Sequence, residues 1–233
     1  MQKEFTSFLS HNVAKALAVA LVAQLSLCGA AFADDAAKQP LELKLPEPTL
    51  KGTPEDLPKD PNVEPIPDKA PIFLVPKGVT NVALNKPVTS SVAPMTGDLK
   101  QVTDGRKEAT DEDTVEMKKG SQWVQVDLGE SVPIYAIAIW HDHRFVQIIK
   151  DAVVEVSNDP EFKKDVTILF NNDRENVLGL GAGKDRDYFE TLRGKIIDAK
   201  GTKARYVRSY SHGSSNGGLN CWEEIEVYGL PAK

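Results

Sequence analysis

Gln122-Trp123-Val124-Gln125-Val126-Asp127-Leu128-Gly129 alternates apolar and polar side chains and stops at a glycine. Successive strand residues face opposite sides, so Val124, Val126 and Leu128 share one face and Gln125 and Asp127 the other. Ala204-Arg205-Tyr206-Val207-Arg208 and Glu224-Ile225-Glu226-Val227-Tyr228-Gly229 are further short strands of this kind, the last also ended by a glycine. Residues 134–140, Ile-Tyr-Ala-Ile-Ala-Ile-Trp, are nearly all apolar, which suits a central strand. Strands are expected over residues 82–84, 123–128, 134–140, 152–157, 167–170, 204–210 and 224–228. Asn158-Asp159-Pro160 and the glycine-rich run 213–218 supply turns. Short alternating strands with turns between them predict an all-β antiparallel sandwich over residues 77–233, not an α/β enzyme.

Working outward, the N-terminal 33 residues have the build of a secretory signal. Lys3 and Lys15 give a basic start, residues 16–27 are apolar but for Gln24 and Ser26, and Ala31-Phe32-Ala33 is a small-x-small cleavage signature. That run is shorter than the roughly 20 residues a bilayer span needs. Cleavage after Ala33 predicts a secreted or periplasmic protein with no transmembrane segment in the mature chain. Lipidation at Cys28 is the other reading; Leu27 stands where a lipoprotein signal takes a small residue. Cleavage leaves Cys221 as the single cysteine, so the sandwich is held by its core and not by a disulfide.

The whole chain carries a net charge of −6. The leader holds two lysines against Glu4, so the mature chain is more acidic by one. A basic footprint for nucleic acid is absent.

Ten of the 15 prolines fall between Pro40 and Pro76, interspersed with Lys, Glu and Asp. Proline removes a backbone donor and fixes φ, so residues 34–76 are expected to be a stiff, extended or disordered linker. Ile72-Phe73-Leu74-Val75 can enter the fold as a first strand. Residues 98–120 are expected to form a long acidic loop, functional or tethered by an ion.

Residues 81–91, Asn-Val-Ala-Leu-Asn-Lys-Pro-Val-Thr-Ser-Ser, resemble the opening of discoidin domains, also called coagulation factor 5/8 C-type domains. Val102-Thr103-Asp104-Gly105 is similar to their "D-G" turn, and residues 123–129, 154–159, 204–208 and 224–229 follow in the same order and spacing. The resemblance covers about residues 79–230. It implies a galactose-binding-like jelly roll whose loops at one end take the ligand, as in family 32 carbohydrate-binding modules.

The resemblance also implies a structural Ca²⁺. Asp104 and Glu224 would supply carboxylates, Gln101, Arg106 and Glu223 carbonyls, and Thr110 a hydroxyl and carbonyl. Calcium takes six to eight oxygens, which a loop rich in carbonyls and carboxylates can provide. A solvated loop with no ion is the plain alternative.

For ligand binding, the resemblance places Trp140-His141-Asp142-His143-Arg144 at a strand end entering the loop face. There His143 and Arg144 can donate to sugar hydroxyls; packing is the competing role. Two histidines two residues apart share a strand face, so His141 and His143, with His212, are also a candidate zinc set and a small metalloenzyme. In the run 213–222, Trp222, or Tyr210 just before it, can stack on a sugar face and Asn220 can bond a hydroxyl. Trp222 as a core residue is equally consistent, and Cys221 reads as a small buried hydrophobe. Residues 179–185 fall short of a phosphate loop, with Asp185 where a Ser or Thr is needed.

The expectation is therefore an exported, non-catalytic binding protein. Its partner is a carbohydrate, held by His143, Arg144, Asn220 and Trp222, or else an envelope or extracellular protein.

Overall fold

The structure, a computed structural model, describes residues 38–48, 57 and 59–231. The expected signal and its cleavage site lie outside the described residues. Among the described residues no helix is long and apolar enough to cross a membrane.

The strands are β1 (Lys38–Pro40), β2 (Leu74–Pro76), β3 (Thr80–Asn81), β4 (Val88–Ser90), β5 (Val115–Met117), β6 (Gln122–Trp140) and β7 (Ile148–Ile149). They continue with β8 (Val153–Ser157), β9 (Thr167–Asn171), β10 (Tyr188–Phe189), β11 (Lys195–Ser211), β12 (Asn220–Trp222) and β13 (Glu224–Gly229). Every pairing between them is antiparallel. The fold is the expected antiparallel β-sandwich.

β6 and β11 form the frame. The strands expected at 123–128 and 134–140 are one continuous β6, bent but not broken at Gly129, which takes φ +88. β11 follows it from Lys195↔Ile139 to Ser211↔Gln122, with register shifts near the same bend. The first half of β6 pairs with β4, and the last half of β11 with β8, which pairs with β9. The second half of β6 pairs with β13, which pairs with β3. The two halves of this ribbon give two layers. Val124, Val126, Val154, Val156 and Val207 meet Ile137, Ile139, Ile197, Ile225 and Val227 in one buried core. Each such side chain contributes about 1.5–3 kcal/mol on burial.

The outer face of the second layer is also apolar. Ala136, Ala138, Trp140 and Tyr228 lie there, and Leu41, Leu43, Phe73, Val75 and Val79 cover them. This corrects the reading of residues 34–76 as an extended or disordered linker over its described part, which packs on the sheet. β1 pairs with β2, and the Leu41 amide donates to the Phe73 carbonyl at 2.7 Å. Arg174, Arg186 and Arg193 donate to the carbonyls of Asn62, Val63 and Pro67, and Lys195 pairs with Glu64 at 2.7 Å. The described residues group as one compact unit. The physical reason is that prolines pre-extend the chain and lower its ordering cost, while the spaced apolar residues find a sheet face to cover. The strand expected at residues 72–75 exists as β2, but it pairs with β1 instead of entering the sandwich.

Two other segments differ from expectation. Residues 82–84 are a turn after β3, because the Asn81 side chain accepts from the amides of Ala83 and Val227. The acidic stretch 98–120 carries two short elements. Asp98 and Gln101 form a capping box on a 3₁₀ turn at Leu99–Thr103, and buried Val115 and Met117 place β5 against β12.

Candidate functional site

Three segments converge beyond the second layer: residues 141–147 after β6, residues 213–219 before β12, and residues 104–114. The Ser214 hydroxyl donates to Gln147 Oε1 at 2.6 Å, and Gln147 Nε2 donates to the Asp142 carbonyl. Arg144 then joins the first segment to the third. Its Nε and Nη2 donate to Asp142 Oδ1 and Oδ2 at 2.9 and 2.8 Å, and its Nη1 to Asp111 Oδ1 at 2.5 Å. These two carboxylates raise the guanidinium pKa further above its ordinary value. Asp111 is almost wholly exposed.

Phe145 follows, 51% exposed, with Arg144 Cζ 5.7 Å from its ring centroid; Val146 beside it is also exposed. Phe145 was missed in the sequence. Its signal was an aromatic in a short polar run between two strands, where nothing demands an apolar residue. An exposed ring beside a fixed guanidinium offers both a stacking surface and donors.

The other three candidate ligand residues are placed differently. Trp222 has no exposed surface, packs in the main core and donates from Nε1 to Ser209 Oγ at 3.2 Å. Asn220 is equally buried; it accepts from the Gly213 amide and donates to the carbonyls of Lys118 and Gly120. His143 is 2% exposed and its Nε2 donates to the Lys107 carbonyl at 2.9 Å, an acceptor that fixes the proton on that nitrogen. All three are framework, because the short β12 directs Trp222 into the core and Asn220 into the turn below it. Tyr210 is on the other layer, its hydroxyl accepting from Arg208.

The three histidines do not converge. His141 Nδ1 meets Glu190 Oε2 at 2.8 Å, His143 meets Lys107, and His212 Nδ1 meets Ser121 Oγ at 3.1 Å. Among the described residues no three His, Cys, Asp or Glu side chains form a group that could hold a metal ion. The imidazole zinc set is corrected accordingly.

A calcium site would have to rely on backbone oxygens, and hydrogen bonds link several of the residues named for it to their neighbours. Both Glu224 oxygens accept from the Gly105 amide at 3.2 Å, beside Asp104. The Glu223 carboxyl accepts from Thr114 at 2.8 Å, and Thr114 also bonds the Thr110 carbonyl at 2.9 Å. Thr110 Oγ1 donates to Asp113, which pairs with Arg106. Gln101 bonds the Glu112 carbonyl. Glu223 and Glu224 have no exposed surface, and Glu223 Oε2 has no hydrogen-bond partner. Burial pushes the Glu223 carboxyl up to about 8 and that of Glu224 up to about 9. Two buried acids short of compensating charge suit a hard cation.

A groove of about 250 Å³ runs between the N-terminal segment and Ile196, lined by Leu41, Leu43, Phe73 and Arg193. None of the candidate ligand or metal residues lines it.

No protein-family model matches the chain, and no curated protein matches it. Solved structures do. Chitosan-binding module 1 of a chitosanase/glucanase from Paenibacillus sp. IK-5 is 21% identical over 64% of this chain and 99% of that one, with a TM-score of 0.46. The lectin domain of lectinolysin, complexed with Lewis B antigen, is 16% identical over 65% and 98%, at 0.46. A fucose-binding module of Streptococcus pneumoniae is 17% identical over 66% and 99%, at 0.43. These structures are carbohydrate-binding modules and a lectin domain. The likeness is one of fold.

Proposed function

We propose that this is an exported, non-catalytic protein that binds a carbohydrate through the loop face formed by residues 141–147, 213–219 and 104–114. The observation that carries the reading is Phe145, an exposed ring held beside a guanidinium that Asp142 and Asp111 fix in place. A sugar offers an apolar C–H face to such a ring and hydroxyls to such a fork. Arg144 and Phe145 are the contact residues; His143, Asn220 and Trp222 support the loops from beneath. A structural calcium held by Asp104, Glu224 and nearby carbonyls would neutralise the buried acids and anchor residues 104–114 to β13, without touching the sugar. Signal cleavage after Ala33 would place the mature protein in the periplasm or outside the cell.

A glycan array tests the reading. Wild-type protein should bind a defined set of glycans, and Arg144→Ala and Phe145→Ala should each lose it while keeping the wild-type melting temperature. Binding to no glycan would sink it. The second reading, an envelope protein as partner, draws on the exposed apolar side chains of Phe145, Val146 and Leu219 in these loops. Recovery of one specific protein from envelope extract, dependent on Phe145, would favour it.

A further inference from the structure

The N-terminal segment reaches the loop face through a continuous series of hydrogen bonds. Val63 bridges Asp187; the Glu64 amide donates to the Asp187 carbonyl at 2.7 Å, and the Asp187 amide to the Asn62 carbonyl at 2.9 Å. Directly after Asp187 comes β10, whose Tyr188 and Phe189 pair with Ile149 and Ile148 of β7. One residue on, the Glu190 amide donates to the Gln147 carbonyl at 2.9 Å, and the Glu190 carboxylate meets His141 Nδ1 at 2.8 Å. His141 and Gln147 are the two ends of the loop that presents Arg144 and Phe145. Gln147 in turn holds the Asp142 carbonyl and Ser214.

Both members of the His141–Glu190 pair are buried, and Glu190 Oε1 has no hydrogen-bond partner. β10 is only two residues long. A strand that short does not hold its own register, so its position depends on what pairs with it at each edge. The N-terminal segment pairs immediately before it and β7 along it. Lys195 clamps the arrangement: its Nζ lies 2.7 Å from Glu64 and 5.1 Å from the ring centroids of both Tyr188 and Phe170.

We propose that residues 62–64 and Glu190 are positioning residues for the binding loop: the N-terminal segment sets β10, and β10 sets the loop ends through Glu190 on Gln147 and His141. The binding module therefore begins with the proline-rich segment, not at residue 77. This rests on the loop-face reading for its functional consequence, but its structural core can be tested without any ligand.

The test compares Glu64→Pro, which removes the amide donor to Asp187, with Glu64→Gln, which keeps it, both in the full mature chain. Hydrogen exchange at the Glu190 amide reads the contact between β10 and the loop. Glu64→Pro should speed that exchange by about threefold or more, in the range expected for coupling between packed elements, and Glu64→Gln should leave it unchanged. Glu190→Gln, which keeps an acceptor for His141, should exchange more slowly at the Gln147-bonded amide than Glu190→Ala. If Glu64→Pro folds, retains its melting temperature and exchanges at the wild-type rate at Glu190, the proposal is overturned. Where a glycan has been found on the array, its affinity should fall in Glu64→Pro and not in Glu64→Gln. If no glycan binds but exchange responds as stated, the positioning stands and the carbohydrate reading fails.

Discussion

Arg144 grips Asp142, two residues before it, with both prongs of its guanidinium, at 2.9 and 2.8 Å. Its third nitrogen crosses to Asp111 on a different loop. One side chain thus fixes the local turn and ties two loops together, and it does so at the surface, 28% exposed.

Arg144→Lys keeps the charge and loses the fork, since an ammonium is a point donor. Glycan affinity should fall about tenfold, the scale of one lost charge-assisted hydrogen bond. Phe145→Ala should cause a similar loss, with little change in stability. Titration calorimetry of both variants decides this; wild-type affinity in both would remove Arg144 and Phe145 from the site.

Trp222→Ala should destabilise the fold by about 3–5 kcal/mol, the cost of emptying a large aromatic site in a packed core. Urea denaturation measures it. A variant that loses the glycan while its unfolding midpoint stays put would return Trp222 to the ligand surface.

Burial keeps Glu223 and Glu224 protonated in the folded chain up to about 8 and 9, against an ordinary value of 4.5. Between those limits the ion-free folded state binds more protons than the unfolded one. Stability from these groups is therefore complete below pH 4.5 and is lost as pH rises through 8 to 9. A calcium ion would take the place of those protons and offset the loss at neutral and alkaline pH. Adding calcium at a hundredfold excess over its Kd should raise the melting temperature by about 5–10 °C at pH 8 and by less at pH 5. A melting temperature indifferent to calcium and to chelator at pH 8 would dismiss the ion.

Lys107 and Glu226 form a buried pair at 2.6 Å, with the ammonium 4.9 Å from the Trp140 ring centroid. Lys107→Ala strands the Glu226 carboxylate with Tyr228 Oη as its remaining donor. It should cost about 3–5 kcal/mol in chemical denaturation, because an uncompensated buried charge is worse than none. Adding Glu226→Gln should recover part of that loss; no recovery would mean the damage is steric.

How far the sequence could be read varied with the range of the interaction. The alternation in residues 122–128 and 224–229 gave the strands and their inward faces, since strand period depends only on local backbone geometry. The continuity of β6 through Gly129 was not visible, because a glycine after alternating residues ordinarily ends a strand. The strand carries on because its long-range partner β11 pairs with it on both sides of the bend, at Val132 and again at Asp127. In the loop after β6, Arg144 was legible as a charged residue at a strand end. Phe145 beside it was not legible, because burial cannot be read from residue type.

Composition and pattern alone determined that this chain makes an antiparallel sandwich and that acids crowd the turn around Asp104. Tertiary structure alone decided that Leu41, Leu43 and Phe73 lie on the Trp140 face, that Trp222 and Asn220 face inward, and that Phe145 faces out. The first group follows from each residue and its near neighbours. The second depends on which surfaces remain uncovered once distant strands have paired, and no local stretch of chain contains that information.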